Sequence, residues 1–370
     1  MITGGSSSSH CPTCTCRKKA RIINDDDDRF SELPDHLLRR ILYFLDSKLA
    51  VQTCVLSRRW RSVWKGVPAL NLDTKSFNDS DEFDQFVYGI ISRRHDSAPI
   101  HEISIENDTN KYGGRIEYDI NESCGELFAY AASHGIQRLR AVEDIEDGFS
   151  HYVYDQGFLP LAPGFRMLTT LHLQRTKLFC PEPLVEPFSG FPNLRDLTLK
   201  DCYWANDEWD EEPAMYLRIC GNQLLNLRIE GSDDVSMVEI FAPNLESISY
   251  RTYWSRPDFG EFDLPSLDRV YVGCWVYCRF TDDYHYRFAT RLVNLLQRLH
   301  RARTLVLNSD TVKVLESCPK LLVGLSPFAQ LSTLILEVEP FDVSQMKSFF
   351  FGNPKNKGNK STKFKDSSLV

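Results

Sequence analysis

The chain has 370 residues, 42% apolar and 25% charged, an ordinary globular composition that excludes a wholly disordered protein. Its formal net charge of −8 argues against a general phosphate-backbone binder, which needs a basic face. No apolar run approaches the roughly eighteen residues of a membrane helix. The start MITGGSSSSH lacks the apolar stretch of a secretory signal, so an intracellular address, nuclear or cytoplasmic, is expected. The eleven cysteines are scattered without framework spacing and suit reduced thiols.

Residues 1–29 combine a Gly/Ser stretch, three close cysteines, a basic cluster from Arg17 to Arg21 and the run Asp25 to Asp28. Few apolar side chains are available, and a disordered arm is expected. Cys11, Cys14 and Cys16 lack the second ligand pair of a structural zinc site. The basic cluster fits a nuclear import signal or a solvated tail, and the aspartates partly neutralise it.

Residues 30–76 read as a compact helical module. Pro34 suits the first turn of a helix, where its missing N–H costs nothing. Leu37, Leu38, Ile41, Leu42 and Leu45 then recur at one-turn spacing and form a broad apolar stripe. Asp46-Ser47 breaks the pattern, and a second helix is predicted from Leu49 to Leu56. Ser57 is the expected N-cap of a third, carrying Trp60, Val63 and Trp64. So small a module buries little surface and leaves large apolar groups exposed, which points to a partner. The alternative is a helical subdomain packed on the rest of the chain.

The order Leu33-Pro34, Leu37-Leu38, Ile41-Leu42, Leu45, Val51, Leu56-Ser57, Arg59-Trp60 and Trp64 resembles an F-box. That resemblance implies docking on a Skp-type adaptor and, through it, on a cullin-based ubiquitin ligase. By position, Leu33, Pro34, Leu37, Leu38, Ile41, Leu45, Val51 and Trp60 become adaptor-binding or module-core residues.

After a linker or helix at 77–97, the pattern changes to short strands written L-x-x-L-x-L from about 98 to 340. Clear cases start at Leu168, Leu194 and Leu331. Taking the middle apolar residue as a marker gives Ile103, Leu139, Leu171, Leu197, Leu227, Ile248, Val270, Leu305 and Leu334, at steps of 21 to 36 residues. Several steps suit leucine-rich repeats, with longer ones implying inserted loops. One such unit cannot bury its apolar face alone, whereas stacked neighbours can. The competing reading is an ordinary α/β domain with alternating strands. An F-box followed by such segments is similar to the plant F-box/LRR-repeat family, whose repeats present the protein to be ubiquitinated. The expected fold class is therefore an α+β or α/β solenoid: a small N-terminal three-helix F-box, an irregular leucine-rich-repeat array and disordered tails. Residues 341–370 are expected to form a low-complexity tail.

In L-x-x-L-x-L the leucines point inward and the x positions face out. Arg195, Asp196, Arg228, Glu246, Arg269, Tyr271 and Arg303 are the candidate substrate-binding residues, beside His172 and Asp268. Trp204 and Trp209, in the acidic insert WANDEWDEEP, join them because Trp is favoured at interfaces. The competing role of such aromatics is to cover the solenoid edges.

No catalytic constellation emerges: the sequence holds no G-x-S-x-G, H-E-x-x-H or Rossmann glycine pattern. In GNPKNKGNKST (Gly352 to Thr362) no lysine directly follows the second glycine, as a phosphate loop requires. Cys274, Cys278 and His285 lack a fourth ligand at suitable spacing. The expectation is a non-catalytic adaptor subunit without metal or cofactor, binding a protein substrate and neither membrane nor nucleic acid. A repeat scaffold with a degenerate F-box is the alternative.

Overall fold

The computed structural model describes residues 32–95, 98–108, 121–144, 165–179, 184–205, 216–231, 235–252, 258–275, 282–323, 328–338, 349–351 and 361–365. Three short helices come first. α1 (Asp35–Tyr43) starts on Pro34, whose carbonyl accepts from the Leu37 and Leu38 amides. α2 (Ser47–Gln52) begins because the Asp46 carboxylate accepts from the Lys48 and Leu49 amides at 2.8 and 3.3 Å. A 3-10 turn, Thr53–Val55, then replaces the remainder of the second helix predicted through Leu56.

α3 (Trp60–Val63) runs into a further 3-10 turn, Trp64–Gly66. Ser57 does not cap α3. The N-cap position falls on Arg59, which makes no side-chain capping bond. Its guanidinium instead reaches back to the Leu33 carbonyl and, at 2.7 Å, to Asp35 at the start of α1. Leu38, Leu42, Val63 and Trp64 are buried between these pieces.

The sheet begins earlier than expected. β1 (Ala69–Asp73) lies within the residues assigned to the helical module, because Leu70 and Leu72 alternate inward like the later strands. α4 (Ser80–Arg93) leads to β2 (Glu102–Asp108), and α5 (Asn121–Ser133) to β3 (Arg138–Asp144). There follow β4 (Thr170–Gln174), β5 (Lys177–Phe179), β6 (Leu184–Val185), β7 (Asp196–Lys200), β8 (Tyr203–Ala205) and β9 (Tyr216–Cys220). Next come β10 (Asn226–Glu230), β11 (Met237–Phe241), β12 (Ser247–Thr252), β13 (Asp258–Asp263) and β14 (Arg269–Cys274). α6 (Asp282–Arg298), β15 (Thr304–Asn308), α7 (Ser309–Ser317), α8 (Pro319–Leu322), β16 (Thr333–Glu337) and β17 (Ser361–Phe364) complete the order.

Eleven strands form one parallel sheet in the order β1-β2-β3-β4-β7-β10-β12-β14-β15-β16-β17. Parallel neighbours require crossovers, and these change character along the chain. Helices α4 and α5 make the first ones, and α6, α7 and α8 the late ones. In between, β6, β9, β11 and β13 do so and form a second parallel sheet of four strands.

All nine apolar markers read from the sequence are register partners in a single row from Ile103 to Leu334. A second inward row, Leu72, Ile105, Ala141, Leu173, Leu199, Ile229, Tyr250, Val272, Leu307 and Leu336, is buried with it. Burying each further apolar side chain of this size stabilises the fold by roughly 1.5–3 kcal/mol before entropy is counted.

The strands also end alike. Arg175 and Asp201 follow β4 and β7 at φ 55° and 50°, and Gly231 follows β10 at φ 67°. There each amide donates to a carbonyl of the next strand in the sheet (Lys200, Glu230 and Arg251), which holds the left-handed turn in two residues that would otherwise avoid it.

Part of the expected low-complexity tail is ordered. β17 pairs with β16 in parallel register, and Phe350 is buried 5.6 Å from Phe328. The last ladder needs a partner strand, and Ser361–Phe364 supplies one.

Candidate protein-interaction surfaces

Pattern alone left the first eight candidates undivided, and burial now separates them. Leu38 and Trp60 belong to the core, and Leu33, Leu45 and Val51 pack against it partly buried. Pro34, Leu37 and Ile41 are exposed. Beside them stand four side chains that the sequence reading did not select: Phe44 at 74% exposure, Leu49, Val55 at 83% and Leu56 at 65%. Leu37, Ile41 and Phe44 follow at i, i+4 and i+7 on α1, one helical face. Six of the ten exposed large apolar residues among those described thus fall between residues 37 and 56. Their signal in the sequence was the surplus of apolar residues over what three short helices can bury.

The module is held on the sheet by polar bonds. The Tyr43 hydroxyl donates to Glu102, and Arg138 donates to the same carboxylate at 2.9 Å. The Asn71 amide group donates to the carbonyls of Tyr43 and Leu45 at 2.9 and 3.1 Å. Lys48 pairs with Glu82 at 2.8 Å and lies over the Phe77 ring.

The large sheet presents its polar face in three register rows. The middle row runs Asn71, Ser104, Arg140, His172, Thr198, Arg228, Ser249, Tyr271, Val306, Ile335 and Lys363. Of the substrate candidates, Arg228 and Tyr271 lie in it, and Asp196 and Arg269 sit in the row of strand starts. Arg195, Glu246 and Arg303 are exposed in the turns just before strands. Asp196 is engaged across strands, accepting from Asn226 at 2.6 Å, and Arg228 pairs with Glu230 at 3.2 Å. Trp204 lies on β8, and Trp209 lies outside the described residues, as do Cys278 and the N-terminal arm.

Burial and the nearby Arg140, Arg228 and Lys200 cations hold the His172 pKa below its ordinary value, so the ring is neutral at pH 7. Tyr271 donates to Glu337 at 3.0 Å, and the Arg251 guanidinium lies over its ring at 4.5 Å. Burial pushes that phenol up to about 12. Arg140, Val306 and Ile335 were not selected from the sequence, although each occupies an outward x position, nor were Arg251 and Glu337, which follow the last inward residue of their strands.

The buried thiols of Cys202 and Cys274 are pushed up to about 12 by burial and stay protonated at neutral pH, so neither is nucleophilic. Among the described residues no group of three His, Cys, Asp or Glu side chains could hold a metal ion, and no helix is long and apolar enough to cross a membrane.

Comparison with known proteins adds two findings. The family described as F-box domain matches residues 30–71. The chain is 28% identical over 351 residues to an FBD-associated F-box protein of Arabidopsis thaliana, covering 83% of this chain and 72% of that one. It is 24% identical over 340 residues to an F-box protein of the same plant, covering 86% and 80%. A putative F-box/FBD/LRR-repeat protein of Arabidopsis thaliana is 26% identical over 234 residues, and there the chain spans only 43% of the relative's length.

Proposed function

Because this chain carries an F-box, is similar over most of its length to F-box proteins of Arabidopsis thaliana and over 62% of it to a putative F-box/FBD/LRR-repeat protein, we propose that it is the substrate-recognition subunit of a Skp-cullin-F-box ubiquitin ligase. The F-box binds the Skp-type adaptor and the parallel array, read as irregular leucine-rich repeats, binds a protein substrate. The chain works by proximity: it fixes a substrate lysine near the charged conjugating enzyme and raises its effective concentration. None of its own residues forms a thioester or transfers ubiquitin, and its place of action is the cytoplasm or nucleus.

The observation that carries this reading is the exposed set Leu37, Ile41, Phe44, Leu49, Val55 and Leu56 on a module whose core is already complete. A monomer gains nothing from keeping so much apolar surface in water, whereas an adaptor groove removes it. The exposed members are the contact residues in this proposal, and Leu38 and Trp60 act only by holding the module together.

Co-purification of the intact chain with a Skp adaptor tests it. The wild type should form a stoichiometric complex, and Ile41→Asp/Val55→Asp should lose it while keeping its helical circular dichroism. If neither protein binds, the F-box is only structural here, and a non-ligase scaffold takes its place.

A further inference from the structure

The middle row of the outward sheet face changes chemistry along the chain. From Asn71 to Ser249 every member is polar or charged. Tyr271, Val306 and Ile335 then follow on β14, β15 and β16 before Lys363 restores polarity. The core does not require them, since Val270, Val272, Leu305, Leu307, Leu334 and Leu336 on the same strands already fill the inward positions. A sheet face turned to solvent ordinarily carries polar residues at such places.

Tyr271 is also locked. Its hydroxyl is bonded to Glu337, and Arg251 stacks on its ring. The ring lies so close over Gly273 that a Cβ there would stand 2.8 Å from Tyr271 Cε1. A fixed aromatic loses little entropy on binding and is the commonest kind of interface anchor. Strands β12, β14, β15, β16 and β17, with the residues that flank them, carry five cationic groups (Arg251, Arg269, Arg303, Lys363 and Lys365) against three carboxylates (Glu246, Asp268 and Glu337). Lys365 stands 3.7 Å from Glu337. The contact between Arg269 and Asp268 is long, 3.7 Å, and exposed, so it neutralises little.

We infer that Tyr271, Val306 and Ile335 are the docking site for an extended segment of the protein substrate that carries an apolar side chain next to an acidic one. Three neighbouring strands span about 10 Å, the reach of about three residues of extended chain. The apolar side chain covers the three-residue strip, and the acidic one meets the excess of guanidinium and ammonium groups. This inference rests on the repeat array being the substrate-binding part, as proposed above.

The test is a display library of tiled 16-residue peptides, selected on the intact chain bound to its adaptor. Enriched peptides should share an apolar–acidic pair and lose about tenfold or more in affinity for Val306→Glu and Ile335→Glu. They should bind Thr198→Glu, on the polar half of the row, as they bind the wild type. The inference is overturned by peptides that bind Val306→Glu undiminished, by loss confined to Thr198→Glu, or by no enrichment on the wild type. Adaptor binding is read separately. Its failure alone removes the ligase role and leaves the docking site standing, and the selection is then made on the free chain.

Discussion

The Tyr43 hydroxyl donates to Glu102, tying the last residue of α1 to the first residue of β2. Arg138 on β3 donates to both groups, at 2.9 Å to the carboxylate and 3.1 Å to the hydroxyl. The helical module is therefore oriented on the array by a three-residue polar joint. Tyr43→Phe removes one member and should cost about 1 kcal/mol of stability, read by urea unfolding. Amide exchange in α1 should rise while adaptor affinity stays unchanged. The bond to Glu102 raises the Tyr43 pKa above its ordinary value. The neutral phenol is the donor, so its contribution is complete below about pH 10 and is lost as pH rises through the higher folded value. The stability gap between wild type and Tyr43→Phe should accordingly hold from pH 6 to 9 and close in stronger base. A gap that shrinks already at pH 8 would show that the joint does not depend on the phenol proton.

Adjacent leucines on α1 have opposite duties. Leu38 is fully buried, and Leu37 is 38% exposed. Leu38→Ala should lower stability by about 3 kcal/mol through the lost burial and the cavity left behind. Leu37→Ala should change it by less than about 1 kcal/mol. Equal losses in urea would mean that the two faces of α1 are assigned wrongly.

Much of this architecture was legible because it is written in local alternation. Nine inward residues, from Ile103 to Leu334, were identified from spacing alone, and they share one register row. A strand with one buried face must repeat every second residue, so the sequence carries that information directly. β1 escaped notice because only Leu70 and Leu72 mark it and the tryptophans before it dominate the pattern. β17 escaped because Ser361 to Lys363 read as tail; their pairing is decided by the open edge of β16, which no local pattern reveals. On the helical module the apolar stripe was evident, but Leu38 and Leu37 look alike until the position of α3 is known. Arg251, Val306, Ile335 and Glu337 lie on three strands, β12, β15 and β16, and come together only through the register of the sheet.

Gly273 sets the position of Tyr271. In Gly273→Ala the new methyl group would meet Tyr271 Cε1 at 2.8 Å and its hydroxyl oxygen at 3.3 Å, so the ring must leave its seat and the bond to Glu337. Tyr271 ionises at about 12 in the wild type because burial disfavours the phenolate. Its raised value contributes stability below about pH 10 that disappears as pH climbs through about 12. Ultraviolet titration, with Tyr271→Phe subtracted to isolate one phenol, should show this late ionisation move back toward pH 10 in Gly273→Ala. An unmoved titration would show that the ring does not need the glycine.

Thiol accessibility follows the same burial logic. Cys124, Cys202 and Cys274 are buried, whereas Cys54, Cys220 and Cys318 are partly exposed. Of these six described cysteines, brief maleimide treatment of the native protein, resolved by peptide mass, should label Cys54 and Cys318 first. Cys220 should lag because burial raises its pKa, and the buried three should react only in denaturant. Early modification of Cys202 would contradict the packing between β7 and β8.

Asn308 closes the joint between β14, β15 and α7. Its Oδ1 accepts from the Thr311 amide at 3.0 Å, capping α7, and from the Cys274 amide at 3.2 Å. Its Nδ2 donates to the Cys274 carbonyl at 2.7 Å. Thr311 supports the same amide through its hydroxyl at 3.1 Å, so the Cys274 N–H is not orphaned when Asn308 is lost. Asn308→Ala removes the cap and leaves the Cys274 carbonyl without its amide donor, which together should cost about 2 kcal/mol. Asn308→Asp keeps both acceptor bonds and loses only the donor. It also places a carboxylate beside the carbonyl, so its cost should be smaller than that of alanine, though not zero. Chemical denaturation of the three proteins orders them wild type, Asp, Ala. If the aspartate were the least stable, repulsion between its carboxylate and the Cys274 carbonyl would outweigh the helix cap, and the cap would not be the main contribution of this residue.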